Sequence, residues 1–418
     1  MKEYLQEKIA ESLDSIGLSR KEIPEIKIER PRESSHGDAA TNIAMTLAGK
    51  LKKNPRQIAA EITEKLELDP AKIEAVEIAG PGFINFRYAK NYIYNVLEEI
   101  FEKGVDFGKS DKYKDKKILV EFVSANPTGP LTVGHGRNAV LGDTIARLFE
   151  CGGAVVEREY YFNNAGRQMR VLGESVKARY LQLLGRDAEL PEGGYEGEYI
   201  VDIAKQLKDE FGSDLTDEKT VEKFKKRAES AIFIDIQNTL ARLNINMDSF
   251  FNEYDLYNDG SIDEVIEGLK QKNLVFEKEC ASWFKTTEFE KDKDTVLVKS
   301  TGEPTYRLPD IAYHVNELER GFDLCIDLFG ADHIDTFPDV LNGVKALGYN
   351  SEKIDVLIYQ FVTIVKGGKP FKMSTRKANF VTLDELMDEV GADVTRFFFL
   401  MRAPSTHLEF DIEQAREA

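Results

Sequence analysis

Apolar positions in this chain change their spacing in a regular way, and the changes divide it into elements. Tyr4, Leu5, Ile9 and Leu13 recur at helical intervals. Residues 24–29 alternate apolar and polar side chains as a strand does. Helical spacing returns over 38–52 and again over 54–66, where Asn54 is suited to cap the helix and Pro55 to fill its first position. The runs 76–78 and 83–87 read as paired strands across the turn Gly80-Pro81-Gly82. A helix over 91–103 leads into a stretch rich in Gly, Asp and Lys, 104–117, that reads as linker. The pattern predicts a small α+β domain over residues 1–110.

Beyond Lys116 the pattern is that of an α/β protein. Ile118, Leu119 and Val120 form an apolar run fit for a buried parallel strand. A turn rich in Pro and Gly follows, then a helix over 138–150 that Cys151-Gly152-Gly153 ends. The section 163–245 is charge-rich and helical, with loops over 185–199. Strand-like runs recur at 324–329 and 354–359, a helix is expected over 383–401, and another element starts at 408–413. No repeat or low-complexity tract interrupts this order.

Composition adds limits. The 418 residues, 42% hydrophobic, can bury a large core in two or more domains. Cys151, Cys280 and Cys325 stand far apart, with no pairing at metal-ligand spacing, which predicts no zinc site and a reducing cytoplasm. The first residues are amphipathic helix, and no apolar run reaches membrane-spanning length. The net charge of −18 is that of an acidic cytoplasmic enzyme and argues against a general nucleic-acid binder. Local basic clusters qualify this: Arg158 with Arg167 and Arg170, Lys177 with Arg179, and the run from Lys366 to Lys377.

Four segments carry candidate chemistry. In the first, residues 121–138, a strand runs through a Gly turn into a helix N-terminus, where unpaired N–H groups and the helix dipole favour an anion; Gly134 and His135 stand at that point. Glu121 ends the strand, and a buried carboxylate there needs either a structural ion pair or a cationic ligand, for which a planar guanidinium is well suited. In the second, Tyr306 and Asp310 are four apart and share a face of any helical turn, although Pro309 predicts an irregular one; Tyr306 also suits a core position. The third is Gly330-Ala331-Asp332-His333, a short turn after a strand, where Asp332 can accept a ribose hydroxyl or the turn can serve packing. The fourth, Lys366 to Lys377, is a cationic Gly-rich loop, either a clamp on a polyphosphate or a solvated surface loop.

Gly134-His135 early, Gly330-Ala331-Asp332-His333 in the middle and Lys372-Met373-Ser374-Thr375-Arg376 late resemble, in that order, the signatures of class I aminoacyl-tRNA synthetases. Nearly the whole chain is similar to the arginyl-tRNA synthetases, through residues 37–45, 79–86, 161–168, 174–181, 195–200 and the segment around Trp283. The resemblance implies a Rossmann-like parallel-sheet catalytic domain over 111–404 with helical insertions at about 163–290. It implies an N-terminal domain over 1–110 that binds the tRNA elbow, and over 405–418 only the start of a helical anticodon-binding domain. The implied activity is arginine–tRNA ligation: ATP, with Mg²⁺, activates arginine to arginyl-adenylate, which passes to the 2′-hydroxyl of the terminal adenosine of tRNA(Arg). The implied arginine-binding residues are Glu121, Asn126, Tyr306, Asp310 and Gln360. ATP falls to Gly134, His135, Asn138, Gly330, Asp332, His333, Met373 and Ser374, and the catalytic roles to His135, Thr132, Lys372 and Arg376. A monomer in the cytoplasm with no membrane partner is expected, and the resemblance implies activation of arginine only when tRNA is bound.

The chain departs from the family pattern at three positions. Thr132 stands for the first His of the early signature, Thr375 for the second Lys of the late one, and Gly129 where some members carry a compensating Lys. Arg376 or Lys377 is expected to supply the missing charge. Two other readings stay open at this point. A small-molecule nucleotidylyltransferase shares the Gly-His turn, and a synthetase-like tRNA-binding or regulatory protein has lost catalysis.

Overall fold

The computed structural model describes residues 1–164, 166–217, 220–370 and 381–417, residue 332 by its backbone alone. It divides into two compact units, Met1–Gly108 and Lys109–Ala418.

In the first unit α1 (Lys2–Ser15) and β1 (Ala39–Thr41) precede α2 (Ile43–Leu51), α3 (Pro55–Lys65), β2 (Ile73–Ala79), β3 (Phe83–Tyr88) and α4 (Lys90–Lys103). The strands form an antiparallel sheet in the order β1-β3-β2. Leu5, Ile9 and Leu13 of α1 meet Leu47, Ile58, Ile62 and Phe86 in its core. Asn54 caps α3 by accepting from the Arg56 amide, with Pro55 in the first turn. Two expectations are corrected. Residues 24–29 form no strand beyond a single bridge from Glu29 to Ala40. The expected helix over 38–52 begins as β1, because Ala39 and Thr41 face the core in alternation and pair with β3 before Ile43 starts the helix.

The second unit opens with β4 (Lys117–Glu121), α5 (Val133–Cys151) and β5 (Val155–Phe162). The helices α6 (Arg167–Leu183), α7 (Glu198–Phe211) and α8 (Val221–Arg242) lead to β6 (Ser249–Asn252), α9 (Glu253–Asn258) and α10 (Ser261–Gln271). A small antiparallel sheet of β7 (Val275–Lys278), β8 (Ala281–Phe284) and β9 (Thr295–Val298) precedes α11 (Arg307–Glu319), β10 (Leu324–Gly330), α12 (Phe337–Leu347) and β11 (Ile354–Tyr359). Then come β12 (Val362–Lys366), β13 (Lys369–Pro370), α13 (Leu383–Val390), α14 (Ala392–Leu400), β14 (Leu408–Asp411) and α15 (Ile412–Glu417).

The central sheet is parallel throughout, in the order β11-β10-β4-β5-β6. The chain starts at β4, winds out to β6, and returns to the other side through β10. The strand order therefore reverses between β4 and β10, and the crevice beyond their carboxyl ends is where such sheets bind ligands. The helix α5 packs so close to the sheet that a Cβ on Gly142 would lie 2.2 Å from the Phe122 ring.

Three expectations change here. The helix placed at 138–150 begins five residues earlier, at Val133, because Thr132 caps it. The helix expected over 383–401 is two, broken at Gly391, whose φ of 85° an L side chain rarely adopts. Pro309 does not disturb its turn: it lies in the first turn of α11, where no intrahelical donor is lost. Residues 408–417 are continuous with this unit: β14 pairs in parallel with β12, and Phe410, Ile412 and Ala415 lie in the core with Phe399 and Leu383. Among the described residues, no helix is long and apolar enough to cross a membrane.

Candidate functional site

A cavity of about 610 Å³ opens at the switch point between β4 and β10. Eight of the residues singled out from sequence line it: Glu121, Asn126, His135, Asn138, Tyr306, Asp310, Gly330 and His333. Gln360 directly follows the lining residue Tyr359 and is half-buried, while Thr132 and Gly134 flank His135 at the start of α5. Lys372, Met373, Ser374, Arg376 and Lys377 lie outside the described residues.

The loop after β4 is held under strain. Val123 and Ser124 adopt φ of 68° and 41°, and a β-branched residue in that region costs roughly 1–3 kcal/mol. Asn138 supports it from α5: its Oδ1 accepts from the Val123 amide at 2.7 Å and its Nδ2 donates to the Leu328 carbonyl at 2.9 Å. Asn138 thus ties the ends of β4 and β10 together while lining the cavity. The bent loop turns Ser124 back to donate to Glu121, while the Ser124 hydroxyl oxygen accepts from the Tyr161 amide. The exposed Asn126 donates to Gln168 at 2.7 Å.

Behind Glu121, which lines the cavity, the neighbouring strands place two more carboxylates in register. Glu159 on β5 is level with Glu121 on β4, which is level with Asp327 on β10. All three are buried. The helix α11 covers them with Tyr313, His314 and Glu317, and Arg320 caps its C-terminal end. Tyr313 and Arg320 donate to Glu159 at 2.9 and 2.7 Å, and the His314 Nε2 lies 3.1 Å from Asp327. His314, Glu317 and Asp327 bring metal-ligand atoms within 4.8 Å of one another, and neither Glu317 oxygen has a hydrogen-bond partner among the described residues. Burial, then the charge of Asp327, push the Glu317 carboxyl well above the usual range. Burial would lower the His314 imidazole, but Glu317 and Asp327 reverse this and push it up to about 10, so the triad holds its own cation.

Carboxyl groups around the cavity are held back from ionising. Burial, followed by the neighbouring Asp327, pushes Glu121 up to about 8 against the pull of Ser124 and His314. Asp310 is pushed up to about 6 by burial, against the pull of His314, His333 and Arg307. Glu253, beside Tyr161, rises to about 7, again through burial. None of the three is in an ion pair with another described residue, and a ligand guanidinium offers a cation with a planar set of donors. Tyr306 is 72% exposed at the start of α11 and stands over the same opening.

The opposite end suits a phosphate. Thr132 caps α5 and forms a reciprocal capping pair with His135: the Thr132 amide donates to His135 Nδ1 at 3.1 Å, and Thr132 Oγ1 accepts from the His135 amide at 3.5 Å. Burial lowers the His135 pKa, so the ring is neutral at pH 7. With Nδ1 accepting, the proton sits on Nε2, which is a donor for an anion at the helix N-terminus.

Glu159, Asp327 and His314 were not singled out from the sequence. Only His314 left a legible signal, four residues beyond Asp310 on one helix face. The row of carboxylates depends on strand register, which no local pattern reveals.

Residues 3–88 match the family described as "Arginyl tRNA synthetase N terminal domain", and residues 96–397 match "tRNA synthetases class I (R), catalytic domain". The arginine–tRNA ligase of Desulfotalea psychrophila is 54% identical, over 99% of this chain and 75% of its own length. That of Salinibacter ruber is 52% identical over 100% of this chain and 77% of its own. Among solved structures, a putative arginyl-tRNA synthetase from Campylobacter jejuni matches 78% of this chain and 71% of its own with a TM-score of 0.72 at 34% identity. The Thermus thermophilus arginyl-tRNA synthetase covers all of this chain and 78% of its own at a TM-score of 0.72 and 20% identity, a likeness of fold alone.

Proposed function

This chain belongs to the arginyl-tRNA synthetases, and on that premise we propose that the cavity at the β4–β10 switch point is where arginine is activated. The activity is arginine–tRNA ligation; the relatives do not favour a synthetase-like protein without catalysis. One observation carries the site reading: Glu121 and Asp310, two carboxylates in no ion pair with another described residue and both pushed up by burial, face one cavity with Tyr306, and the N-terminus of α5 with His135 opens onto the same space.

Glu121 and Asp310 bind the guanidinium, with Tyr306 over it. Asn126 and Gln360 hold the α-amino and carboxylate end. Gly134 and His135, with the turn Gly330-Ala331-Asp332-His333, hold ATP, and we assign Met373 and Ser374 to its binding as well. The arginine carboxylate then attacks the α-phosphate in line, forming an acyl–phosphate bond as the bond to pyrophosphate breaks. The chain contributes position and charge: a neutral His135 donates from Nε2, and Lys372 with Arg376 draws off the pyrophosphate. Thr132 acts through His135, fixing its ring by the capping pair. The terminal adenosine of tRNA(Arg) takes the arginyl group on its 2′-hydroxyl. Mg²⁺ carried in with ATP would screen the charge of its phosphates. The N-terminal unit supports binding of the tRNA elbow. We assign the protein to the cytoplasm as a monomer.

The test is ATP–pyrophosphate exchange with arginine, with and without tRNA. Exchange that requires both arginine and tRNA supports the reading. No exchange with arginine under either condition refutes it, as does a wild-type arginine KM in Asp310→Ala.

A further inference from the structure

The Arg137 side chain is completely buried, yet it forms no ion pair with any described residue. It sits on α5 two positions beyond His135 and spends its guanidinium on backbone carbonyls. One terminal nitrogen donates to Gln360 at 2.6 Å and to Thr406 at 3.0 Å, and the other donates to Ala403 at 3.1 Å. Its Nε finds no partner among the described residues. Burying a cation without a counter-ion is costly, and a fold that needed only packing there would favour an apolar side chain.

The fork holds together two segments distant in sequence. Gln360 leaves β11 at the edge of the cavity. Its amide donates to the Pro404 carbonyl at 2.9 Å, so both backbone groups of Gln360 are held by Arg137 or by the turn at 403–406 that Arg137 also grips. The Thr406 amide closes that turn on the Ala403 carbonyl, and Leu408 then pairs with Phe361 to start β14. A guanidinium reaches these three carbonyls from two separate nitrogens in fixed directions; an ammonium carries its three donors on one atom and does not reproduce that spread.

We infer that Arg137 is a positioning residue for arginine binding: it sets the Gln360 backbone against α5, and so places the Gln360 side chain relative to the helix that carries His135. This rests on the assignment of Gln360 to the amino-acid end of the substrate. It also gives the 403–406 turn a direct mechanical connection to the arginine pocket.

The experiment uses the full chain with Arg137→Met, Arg137→Lys, Gln360→Ala and the Arg137→Lys/Gln360→Ala pair. KM values for arginine and ATP come from exchange assays with tRNA, and a thermal melt confirms folding. Arg137→Lys keeps the charge and the volume, so it carries the test if Arg137→Met does not fold. Arg137→Lys should raise the arginine KM about tenfold, the effect of losing charge-assisted bonds, and leave the ATP KM within about twofold. The double variant should be no worse than Gln360→Ala alone. Arginine and ATP KM rising together, or additive effects in the pair, would overturn the inference while leaving the Gln360 assignment standing. A wild-type arginine KM in Gln360→Ala removes that assignment, and the inference with it.

Discussion

Arginine should bind more tightly as pH rises from 6 to 8, and binding should release protons. Burial and the neighbouring Asp327 hold Glu121 at about 8, and Asp310 stands at about 6. A guanidinium needs both carboxylates ionised. At pH 6.5 Glu121 lies about 1.5 pH units below its midpoint, so ionising it costs about 2 kcal/mol and weakens binding roughly 30-fold relative to pH 8.5. The sign follows from proton counting: free protein carries the proton, liganded protein does not, so affinity rises about tenfold per pH unit up to pH 8 and then levels. Below pH 6 the Asp310 proton adds and the slope approaches twice as steep. Titration calorimetry of arginine between pH 5.5 and 8.5, in paired buffers of different ionisation enthalpy, reads both the affinity and the protons released. Glu121→Gln is the control, because any titration of arginine itself persists in it while the steep rise between pH 6 and 8 disappears. A wild-type affinity that stays flat across that interval, with no proton released, refutes the electrostatic account of the pocket.

Glu121→Gln should also stabilise the fold. The native carboxyl is protonated at pH 7 while the unfolded one, near 4.5, is ionised, a penalty on the order of 3 kcal/mol that grows from pH 4.5 to about 8 and is absent below. A lower melting temperature than wild type at pH 7.5 contradicts this. Gly142→Ala should destabilise by about 1–3 kcal/mol, since its Cβ would meet the Phe122 Cβ and ring, which no rotamer change can move aside; chemical denaturation measures it, and unchanged stability disproves the tight fit of α5 on the sheet. Asn138→Ala leaves the Val123 amide and the Leu328 carbonyl unpaired and frees a strained loop, so it should cost about 2 kcal/mol or more and raise the arginine KM; a variant changed in neither denies Asn138 its role. Arg376→Ala and Lys377→Ala should each slow exchange about tenfold or more if their charge replaces that missing at Thr375 and Gly129; an unchanged rate in both ends that assignment.

The elements that position the site were mostly legible. The apolar run 118–120, the Gly turn and the helix beyond it are local patterns, and β4 and α5 follow them. Helix starts were less so: Val133 begins α5 because Thr132 and His135 cap each other, a reciprocal bond that apolar periodicity does not register. The expected strand over 24–29 failed because alternation alone supplies no partner, and only Glu29 finds one in Ala40. Within the site, Glu121 stood out at the end of an apolar strand and Asp310 four residues beyond Tyr306. What tunes them did not: burial comes first for both, and for Glu121 the charge of Asp327 adds to it at the same level from a strand far away in sequence. Arg137 was hidden for the same reason: its three partners are carbonyls more than two hundred positions away.

The account turns on two carboxylates reading a positive charge, and citrulline, the neutral isostere of arginine, isolates that charge. Equilibrium binding of arginine and of citrulline at pH 8, to wild type and to Asp310→Asn, is the direct measurement. Wild type should prefer arginine by at least about a hundredfold, the worth of two charge-assisted pairs, and Asp310→Asn should lose most of that preference. Citrulline binding as well as arginine to wild type, or undiminished discrimination in Asp310→Asn, would contradict the account.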